Sequence, residues 1–202
     1  MASEPYSGVE IDEGLLPHGE FRAAWLGELE AKLGKANFFR RVRDVGKPSV
    51  YAIYFEDLPE RGYLTAVTCG LSEAGHPKWK LGCPELIVTM KTRDIAWGLA
   101  AAYFASAFFG EKSFSYGDVF KLDHPIAQDS AMNAYLLFAP SFLNRDQAKF
   151  VLPDRTINLV GLYPIYGEEI STYDRIGLKA FWHADGFEMD NPKRGPVTLA
   201  RN

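Results

Sequence analysis

The sequence predicts an α+β protein, in which about three helices pack on a mixed and largely antiparallel sheet. Two periodicities support this class. Apolar side chains recur at every fourth position from Phe21 to Leu33, as on one face of an amphipathic helix. Residues 84–91 instead alternate between an apolar and a mainly polar set, as in a strand with one buried face. Short turns between neighbouring strand segments favour antiparallel pairing.

The first half of the chain is predicted to contain one helix and four strands. The helix covers residues 18–33 and ends at Gly34, after an irregular acidic segment over residues 1–17. Residues 50–55 are apolar on both faces, as in a central strand of a sheet. The predicted strands cover residues 38–45, 50–55, 63–69 and 84–91.

The second half is predicted to contain two more helices and further strands. A helix over residues 94–109 is apolar nearly all round, so we expect it to be buried between layers. The last helix covers residues 167–182, and a tail over residues 183–202 has one short strand at 196–199. A polar loop at 140–154 is long enough to suggest a binding role. The other strands are predicted at 119–122, 134–138 and 156–163.

Composition indicates a single domain with a large apolar core. The 202 residues are 47% apolar and 14% aromatic, and no repeat or low-complexity linker divides residues 1–202. The net charge of −4 and the pI of about 5.6 argue against nucleic acid as a partner. The one basic run, Arg40-Arg41-Val42-Arg43, is expected to be a solvated strand face.

The expected location is the cytoplasm. Two cysteines in a chain of this length fit a reducing compartment, and the N-terminal residues show no basic segment followed by an apolar one. The most apolar stretch, residues 95–109, is shorter than the ~20 residues that cross a bilayer. We therefore expect no membrane partner.

The cysteines and histidines allow two kinds of chemistry, and neither is favoured. Cys69, His76 and Cys83 are evenly spaced along the chain, but a closed zinc site needs a fourth ligand, such as Glu85 or His124. Cys83 and His76 also allow a nucleophile–base pair, although proximity in sequence does not establish geometry. Cysteine is commonly a small buried apolar residue, and we prefer this interpretation. No glycine-rich phosphate loop is present. No catalytic residue, metal or cofactor is therefore expected.

Three acidic residues have both a structural and a functional interpretation. Glu168 and Glu169 form an adjacent pair that suits acid–base chemistry, but two carboxylates at the start of a helix also complement its dipole. The second role is preferred. Asp118 follows Gly117, as a turn prefers. It is equally suited to be an exposed anchor for a partner.

A group of aromatic residues near Asp118 also has two interpretations, and the sequence leaves both open. If these side chains are exposed, they form a binding hot spot for another protein. If they are buried, they close the end of the core. The group consists of Phe108, Phe109, Phe114 and Tyr116.

Four short segments carry the most specific signal in the chain, because of their order. They are Thr65-Ala66-Val67-Thr68-Cys69-Gly70-Leu71-Ser72, Cys83-Pro84-Glu85-Leu86, Ser115-Tyr116-Gly117-Asp118 and Leu162-Tyr163-Pro164-Ile165-Tyr166-Gly167-Glu168-Glu169-Ile170. This ordered set resembles the suppressor-of-fused family. The resemblance spans about residues 50–181 and covers only the N-terminal lobe of the animal protein. A bacterial stand-alone version is therefore expected.

The resemblance implies a non-catalytic, protein-binding module with an α+β fold. In the family, an aspartate after the aromatic helix helps to hold a partner peptide that adds as a β-strand, and Asp118 matches this position. Phe114 lies in the same segment, Tyr116 adjoins it, and Tyr103 lies on the preceding helix. Bacterial versions resemble immunity proteins that neutralise a toxin in competition between cells. The expected partner is another protein, either a toxin domain or an extended peptide strand.

Two other functions remain as alternatives. One is a small hydrolase-like enzyme that uses Cys83, which requires this thiol to be exposed in a pocket beside a histidine. The other is a structural domain that associates with copies of itself through an exposed strand edge. The protein-binding module is favoured because of the resemblance, rather than because of any chemistry in the residues.

Overall fold

The computed structural model describes residues 9–13, 19–128 and 130–197. Within these ranges it contains nine strands, three α-helices and one 3-10 turn at Leu71–Glu73. The strands are β1 (Glu10–Glu13), β2 (Phe38–Arg43), β3 (Val50–Glu56), β4 (Leu64–Cys69), β5 (Cys83–Met90), β6 (Val119–Lys121), β7 (Ala134–Phe138), β8 (Lys149–Val151) and β9 (Thr156–Ile165). The helices are α1 (Glu20–Leu33), α2 (Ala96–Ala107) and α3 (Glu169–Trp182).

All of these strands belong to one sheet, in the order β1-β2-β3-β4-β5-β9-β7-β6, with β8 also paired to β9. The strand pairs are antiparallel except for β5 and β9, which run parallel. β8 and β7 pair with successive parts of β9, at residues 156–158 and 161–165. The predicted class, a mixed and largely antiparallel sheet with three helices, is confirmed.

Helices cover both faces of the sheet. Along β9, Val160 belongs to the core cluster of α2, while its neighbour Leu159 belongs to the cluster of α1. Because successive strand residues point to opposite faces, α1 and α2 lie on opposite sides. α3 covers the rest of the α1 side, where Phe181 packs with Ile165. Within the described ranges, no helix is both long and apolar enough to span a membrane.

β5 is buried on both faces, whereas the sequence predicted a single buried face over residues 84–91. Leu86 and Val88 belong to the α2 cluster. On the other face, Ile87 is 3% exposed and Glu85 is 0% exposed. The prediction assigned the face of Glu85 to solvent because of its polar residues. In the structure, a buried hydrogen-bond network satisfies that carboxylate instead.

The edge strand β1 lies in the segment that was predicted to be irregular. Each of its three acidic residues forms an ion pair with the β2 arginine opposite. The pairs are Glu10–Arg43, Asp12–Arg41 and Glu13–Arg40. The basic run of β2 therefore faces an acidic strand and is not simply a solvated face. A four-residue strand with little apolar alternation has no periodicity of its own, so the sequence pattern missed it.

A second short strand, β8, lies inside the loop predicted over residues 140–154. Phe150 of β8 is buried and packs edge-to-face on Trp25, with ring centroids 4.7 Å apart. Lys32 of α1 donates from Nζ to the Lys149 carbonyl at 2.5 Å. Its ammonium also lies 3.9 Å from the centre of the Phe150 ring. Contacts from α1 therefore fix this strand on the sheet.

The C-terminal elements differ from the prediction in two places. α3 is kinked at Gly177, whose φ of 76° is not helical. Phe187 and Val197, from the segment predicted to be a tail, pack into the α3 cluster. Of the strand predicted at 196–199, residues 196–197 are not in a strand and the rest lie outside the described residues. The predicted helix start at residue 18 also lies outside them.

Candidate functional site

The segment from Ser115 to Asp118 forms a turn at the start of the edge strand β6. The Asp118 N–H donates to the Ser115 carbonyl at 3.0 Å. Gly117, the third residue of the turn, has a φ of 89°, as a type II turn requires. The Gly117 N–H donates to the Leu137 carbonyl at 2.7 Å, and the Leu137 N–H donates to the Asp118 carbonyl at 2.9 Å. Gly117 and Asp118 thus lie together opposite a single β7 residue, Leu137. This arrangement is a β-bulge, and it sets the direction in which the Asp118 side chain points.

The Asp118 carboxylate stabilises the same turn. Its Oδ2 accepts a hydrogen bond from the Ser115 N–H at 2.9 Å and lies 3.5 Å from the Ser113 hydroxyl oxygen. Tyr173 supports the turn from the α3 side of the sheet, because its hydroxyl donates to the Gly117 carbonyl at 3.0 Å. The side-chain hydrogen bonds found for Asp118 in the described part of the chain use Oδ2, so Oδ1 is the oxygen that a partner can use.

Tyr116 is the exposed aromatic residue of this turn. It occupies the second turn position, and 52% of it is exposed. Its ring centroid lies 5.5 Å from that of Phe138, which in turn lies 5.4 Å from that of Trp182. These contacts place Tyr116 on the α3 side of the sheet edge, with a large surface open to a partner.

Phe114, by contrast, lies in the core. It is 2% exposed and packs edge-to-face on Phe104, with ring centroids 5.4 Å apart. Its φ of 51° is in the left-handed region, which a bulky residue occupies only when its surroundings hold it there. Of the two interpretations left open for the aromatic group, closure of the core describes this residue. Phe114 therefore holds the turn in place without offering a surface.

Tyr103 lies on the α2 side of the sheet edge. It is half-buried, and its ring centroid lies 6.5 Å from that of His124, which follows β6. Burial raises the pKa of the Tyr103 hydroxyl, and the charges of Asp44 and Asp123 act in the same direction. The predicted site residues are therefore not one patch. Tyr103 and Tyr116 flank opposite sides of the edge on which Asp118 lies.

Among the described strands, β6 is the outermost at its end of the sheet, and alternate residues along it turn their backbone groups away from β7. Hydrogen-bonded and non-hydrogen-bonded pairs alternate along an antiparallel ladder. The ladder bonds on either side of Phe120 place its N–H and C=O toward β7, so those of Val119 and Lys121 face outward. These bonds run from Leu137 N–H to the Asp118 carbonyl at 2.9 Å and from Leu122 N–H to the Asn133 carbonyl at 2.7 Å.

The other two edges formed by the described strands, on β1 and β8, are protected. β1 carries three acidic residues among its four, and charges on an edge strand discourage further pairing. On β8, the same alternation places the carbonyl of Lys149 outward, and the Lys32 ammonium occupies it. β6 has two outward-facing pairs of backbone groups and a single charged residue, Lys121. It is therefore the edge best suited to accept another strand.

A buried carboxylate joins two of the segments that carried the family resemblance. Glu85 Oε2 accepts from the Thr68 hydroxyl at 2.6 Å. Oε1 accepts from the Gly70 N–H at 2.9 Å, the Ser72 N–H at 3.0 Å and the Ser72 hydroxyl at 2.7 Å. Burial raises the pKa of Glu85, and these hydrogen bonds oppose the rise. From the sequence, Glu85 was expected on a solvent-facing strand face or as a fourth zinc ligand, and this buried structural role was not predicted.

Neither the Cys69 nor the Cys83 thiol has the lowered pKa of an activated nucleophile. Burial raises the pKa of the fully buried Cys69 thiol and of the half-buried Cys83 thiol. His76 Nδ1 accepts from the Lys78 N–H at 3.2 Å. Within residues 9–13, 19–128 and 130–197, no group of three or more His, Cys, Asp and Glu side chains is arranged to hold a metal.

The two adjacent glutamates have different surroundings. Glu168 is exposed, whereas Glu169 is 1% exposed and forms a bidentate ion pair with Arg194. Arg194 Nη1 lies 2.7 Å from Oε1, and Nη2 lies 2.7 Å from Oε2. The Val197 N–H also donates to Oε1 at 2.6 Å, and the Tyr166 N–H to Oε2 at 2.8 Å. Glu169 thus ties the C-terminal segment to α3.

Among the described residues, this architecture is an α+β domain with one open sheet edge, on β6, beside the Asp118 turn. The chain belongs to the suppressor-of-fused (SUFU) protein family, because the model of that family matches residues 46–194. The match confirms the resemblance and extends it to Arg194, the residue that pairs with Glu169.

Solved structures of SUFU proteins share the fold at low sequence identity. A SUFU homologue of Neisseria gonorrhoeae has a TM-score of 0.57 and 13% identity, over 96% of this chain and 89% of that chain. A chain from the Sufu–Fu complex has a TM-score of 0.61 and 10% identity, over 87% of this chain and 91% of that chain. Drosophila Suppressor of Fused has a TM-score of 0.61 and 11% identity, over 93% of this chain and 52% of that protein. A search of curated protein sequences gives no significant match.

Proposed function

We propose that this single-domain chain is a non-catalytic module that binds another protein by adding an extended segment of it to the edge of β6. The observation that carries the proposal is the outward-facing backbone of Val119 and Lys121, directly after the Asp118 turn. Such an edge supplies main-chain hydrogen bonds to an added strand, while neighbouring side chains supply specificity. The Sufu–Fu complex supports this class of function, because a chain of similar extent is part of a complex there.

Each predicted site residue has a role in this proposal. Asp118, which directly precedes β6, offers Oδ1 to an N–H or a cation at one end of the added strand. Tyr116 and Tyr103 contact the partner on the two faces of the edge, since large aromatic side chains are common binding anchors. Phe114 contributes indirectly, by holding the turn from within the core. No residue in this set requires a cofactor or a metal.

The more specific proposal is that the chain is a bacterial immunity protein, which neutralises a toxin in the cytoplasm of its own cell. Its net charge of −4 supports a basic toxin domain as the partner, because charge complementarity accelerates association. The same charge disfavours nucleic acid. The raised pKa of Cys83 disfavours the hydrolase alternative, since a nucleophilic thiol needs a lowered pKa.

Affinity capture from the native cell lysate, followed by mass spectrometry, tests this function with matched variants. Val119→Pro removes an outward N–H and leaves the β6–β7 ladder intact, because the lost donor faces away from β7. Val151→Pro makes the equivalent change at the outward position of β8 and serves as the control. We expect the wild type, and the control, to capture one stoichiometric partner. We expect Val119→Pro and Asp118→Ala to lose it.

Two results would contradict the proposal. One is a partner captured equally well by Val119→Pro and by the wild type, which would place binding elsewhere on the surface. The other is the absence of a partner together with a stable dimer that Val119→Pro dissociates, which would favour self-association through β6.

A further inference from the structure

β1 is joined to β2 by matching charges as well as by the main-chain ladder. Three of its four residues are acidic, and in the antiparallel register each lies opposite an arginine of the run at residues 40–43. Each carboxylate forms an ion pair with the arginine opposite. Among the described residues, no other ion pair includes an arginine of this run. β1 therefore neutralises the basic edge of β2 in the way that a bound acidic peptide would.

Little apolar surface holds β1 in place. Its one apolar residue, Ile11, is 40% exposed, although the residue opposite, Val42, is buried. Val9, directly before the strand, is half-buried against the α2 cluster. Because the hydrophobic contribution scales with the apolar area that is buried, the ladder hydrogen bonds and the ion pairs carry most of this contact.

The ion pairs of β1 are open to solvent. Its acidic side chains are 62%, 43% and 80% exposed, in the order Glu10, Asp12 and Glu13. Exposed ion pairs contribute little net stability, and dissolved salt weakens them further. A short strand held in this way opens more easily than the strands of the core. Opening uncovers three arginines within four residues, on a strand edge whose backbone groups then lack partners.

We propose that β1 is a displaceable internal ligand of the β2 edge, and that an extended acidic segment of another protein takes its place. The incoming segment carries carboxylates opposite Arg40, Arg41 and Arg43, in the same order of acidic and apolar residues as β1. Charge complementarity selects this occupant, because a neutral or basic segment leaves the three guanidinium groups without partners. The simpler role of β1 is to cover the edge permanently, and that role predicts no exchange.

This acceptor edge is separate from the one proposed above. β1 and β2 lie at the opposite end of the sheet from β6, so the inference does not depend on strand addition there. Both strands also precede residues 46–194, the range that matches the family model. The inference therefore concerns this chain rather than the family.

Binding of a synthetic peptide to the full chain, followed by fluorescence anisotropy, tests the proposal. The labelled peptide carries residues 9–13 between glycine–serine ends. In the charge-reversed variant Glu10→Lys/Asp12→Lys/Glu13→Lys, the arginines of β2 repel β1 and leave the edge open. We expect this variant to bind the peptide at least about ten-fold more tightly than the wild type, because the open state is more populated. A peptide with lysine in place of its three acids should bind neither protein.

A disulfide between β1 and β2 supplies the matched control. Ile11 and Val42 lie directly opposite each other, so Ile11→Cys/Val42→Cys closes the edge when it is oxidised. The oxidised variant should not bind the acidic peptide, and reduction should restore the wild-type affinity. Val119→Pro should bind the peptide as the wild type does, since the substitution lies on β6.

Hydrogen–deuterium exchange of the wild type alone tests displacement without any substitution. Raising the NaCl concentration from about 50 mM to about 500 mM screens the exposed ion pairs. Exchange of the N–H groups that join β1 to β2 should then accelerate by about five-fold or more, while exchange between β3 and β4 stays unchanged. Exchange at β1 that is independent of salt and as slow as that of β3 would show a permanent strand and overturn the inference.

Four binding results would also overturn it. They are equal binding of the acidic and lysine peptides, and failure of a folded charge-reversed variant to bind the acidic peptide. The third is loss of binding in Val119→Pro, which places the peptide at β6. The last is a dimer that exchanges β1 between two copies and excludes the peptide, which assigns the edge to self-association.

Discussion

The hydroxyl of Thr68 donates a 2.6 Å hydrogen bond to the fully buried carboxylate of Glu85. The same hydroxyl oxygen accepts from the Leu86 N–H at 2.7 Å. Thr68 therefore links the carboxylate to the backbone of the strand that carries it. The remaining donors come from Gly70 and Ser72, so the end of β4 and the turn after it are organised around one side chain.

The first prediction concerns the pH dependence of stability. Burial holds the pKa of Glu85 above its ordinary value of 4.5, so above this pH the folded chain retains a proton that the unfolded chain releases. The free energy of unfolding therefore falls as pH rises from 4.5 toward the folded-state pKa, by at most about 1.4 kcal/mol per pH unit. Glu85→Gln cannot release a proton and should lose this slope in urea unfolding measured at several pH values.

The control for this prediction is Glu85→Ala, which removes the acceptor altogether. It leaves several buried donors without a partner and should lower the free energy of unfolding by about 3 kcal/mol or more. A Glu85→Gln variant with the same pH profile as the wild type would show that Glu85 is not the group responsible.

The second prediction concerns the ion pair between Glu169 and Arg194. Arg194→Met should lower the free energy of unfolding by about 3–5 kcal/mol, because it leaves a buried carboxylate without its cation. The double variant with Glu169→Met should recover much of this loss, since no unpaired charge remains. Denaturant unfolding of Arg194→Met, Glu169→Met and the double variant measures the coupling between the two side chains. Additive losses would show that the two side chains do not act as a pair.

The third prediction separates the two aromatic residues of the Asp118 segment. Phe114→Ala should cost about 3–5 kcal/mol of folding stability, because it empties a core position. Tyr116→Ala should change stability by less than about 1 kcal/mol and should weaken partner binding. Thermal unfolding and a binding titration on the same samples distinguish these effects. Wild-type affinity in a folded Tyr116→Ala variant would remove Tyr116 from the interface.

The fourth prediction concerns thiol reactivity. Burial raises the pKa of Cys83 above its ordinary value of 9.0, so little thiolate is present near neutral pH. Cys83 should react with iodoacetamide more slowly than a cysteine in the denatured chain, and Cys69 should react only on unfolding. Mass spectrometry of the alkylated peptides over time measures both rates. Faster alkylation of Cys83 in the folded chain than in urea would instead support the enzyme alternative.

Periodicity predicted most of the fold, and it failed where long-range pairing decides the structure. The helices and the long strands have apolar patterns of their own, so their positions follow from local sequence. β1 and β8 have only short patterns, and they form because arginines of β2 and contacts from α1 hold them. Arg194 lies in a segment rich in glycine and proline, which gives no local sign that the residue is buried. Its burial depends on the ion pair with Glu169, 25 residues away in sequence.

The candidate site was predictable to a similar degree. Gly117 followed by Asp118 indicates a turn by its residue types, and the structure has that turn. The open edge of β6 was not predictable, because it depends on the order of the strands in the sheet. The burial of Phe114 and the separation of Tyr103 from Tyr116 also depend on packing across the sheet, which a single sequence does not encode locally.

Hydrogen–deuterium exchange at single-residue resolution tests strand addition at β6 most directly. The sample is the chain with the captured partner, compared with the chain alone. Strand addition gives hydrogen bonds to the outward N–H groups of Val119 and Lys121, so their exchange should slow at least about ten-fold, while that of Val151 on the β8 edge stays unchanged. Protection elsewhere, with unchanged exchange at Val119 and Lys121, would contradict the account.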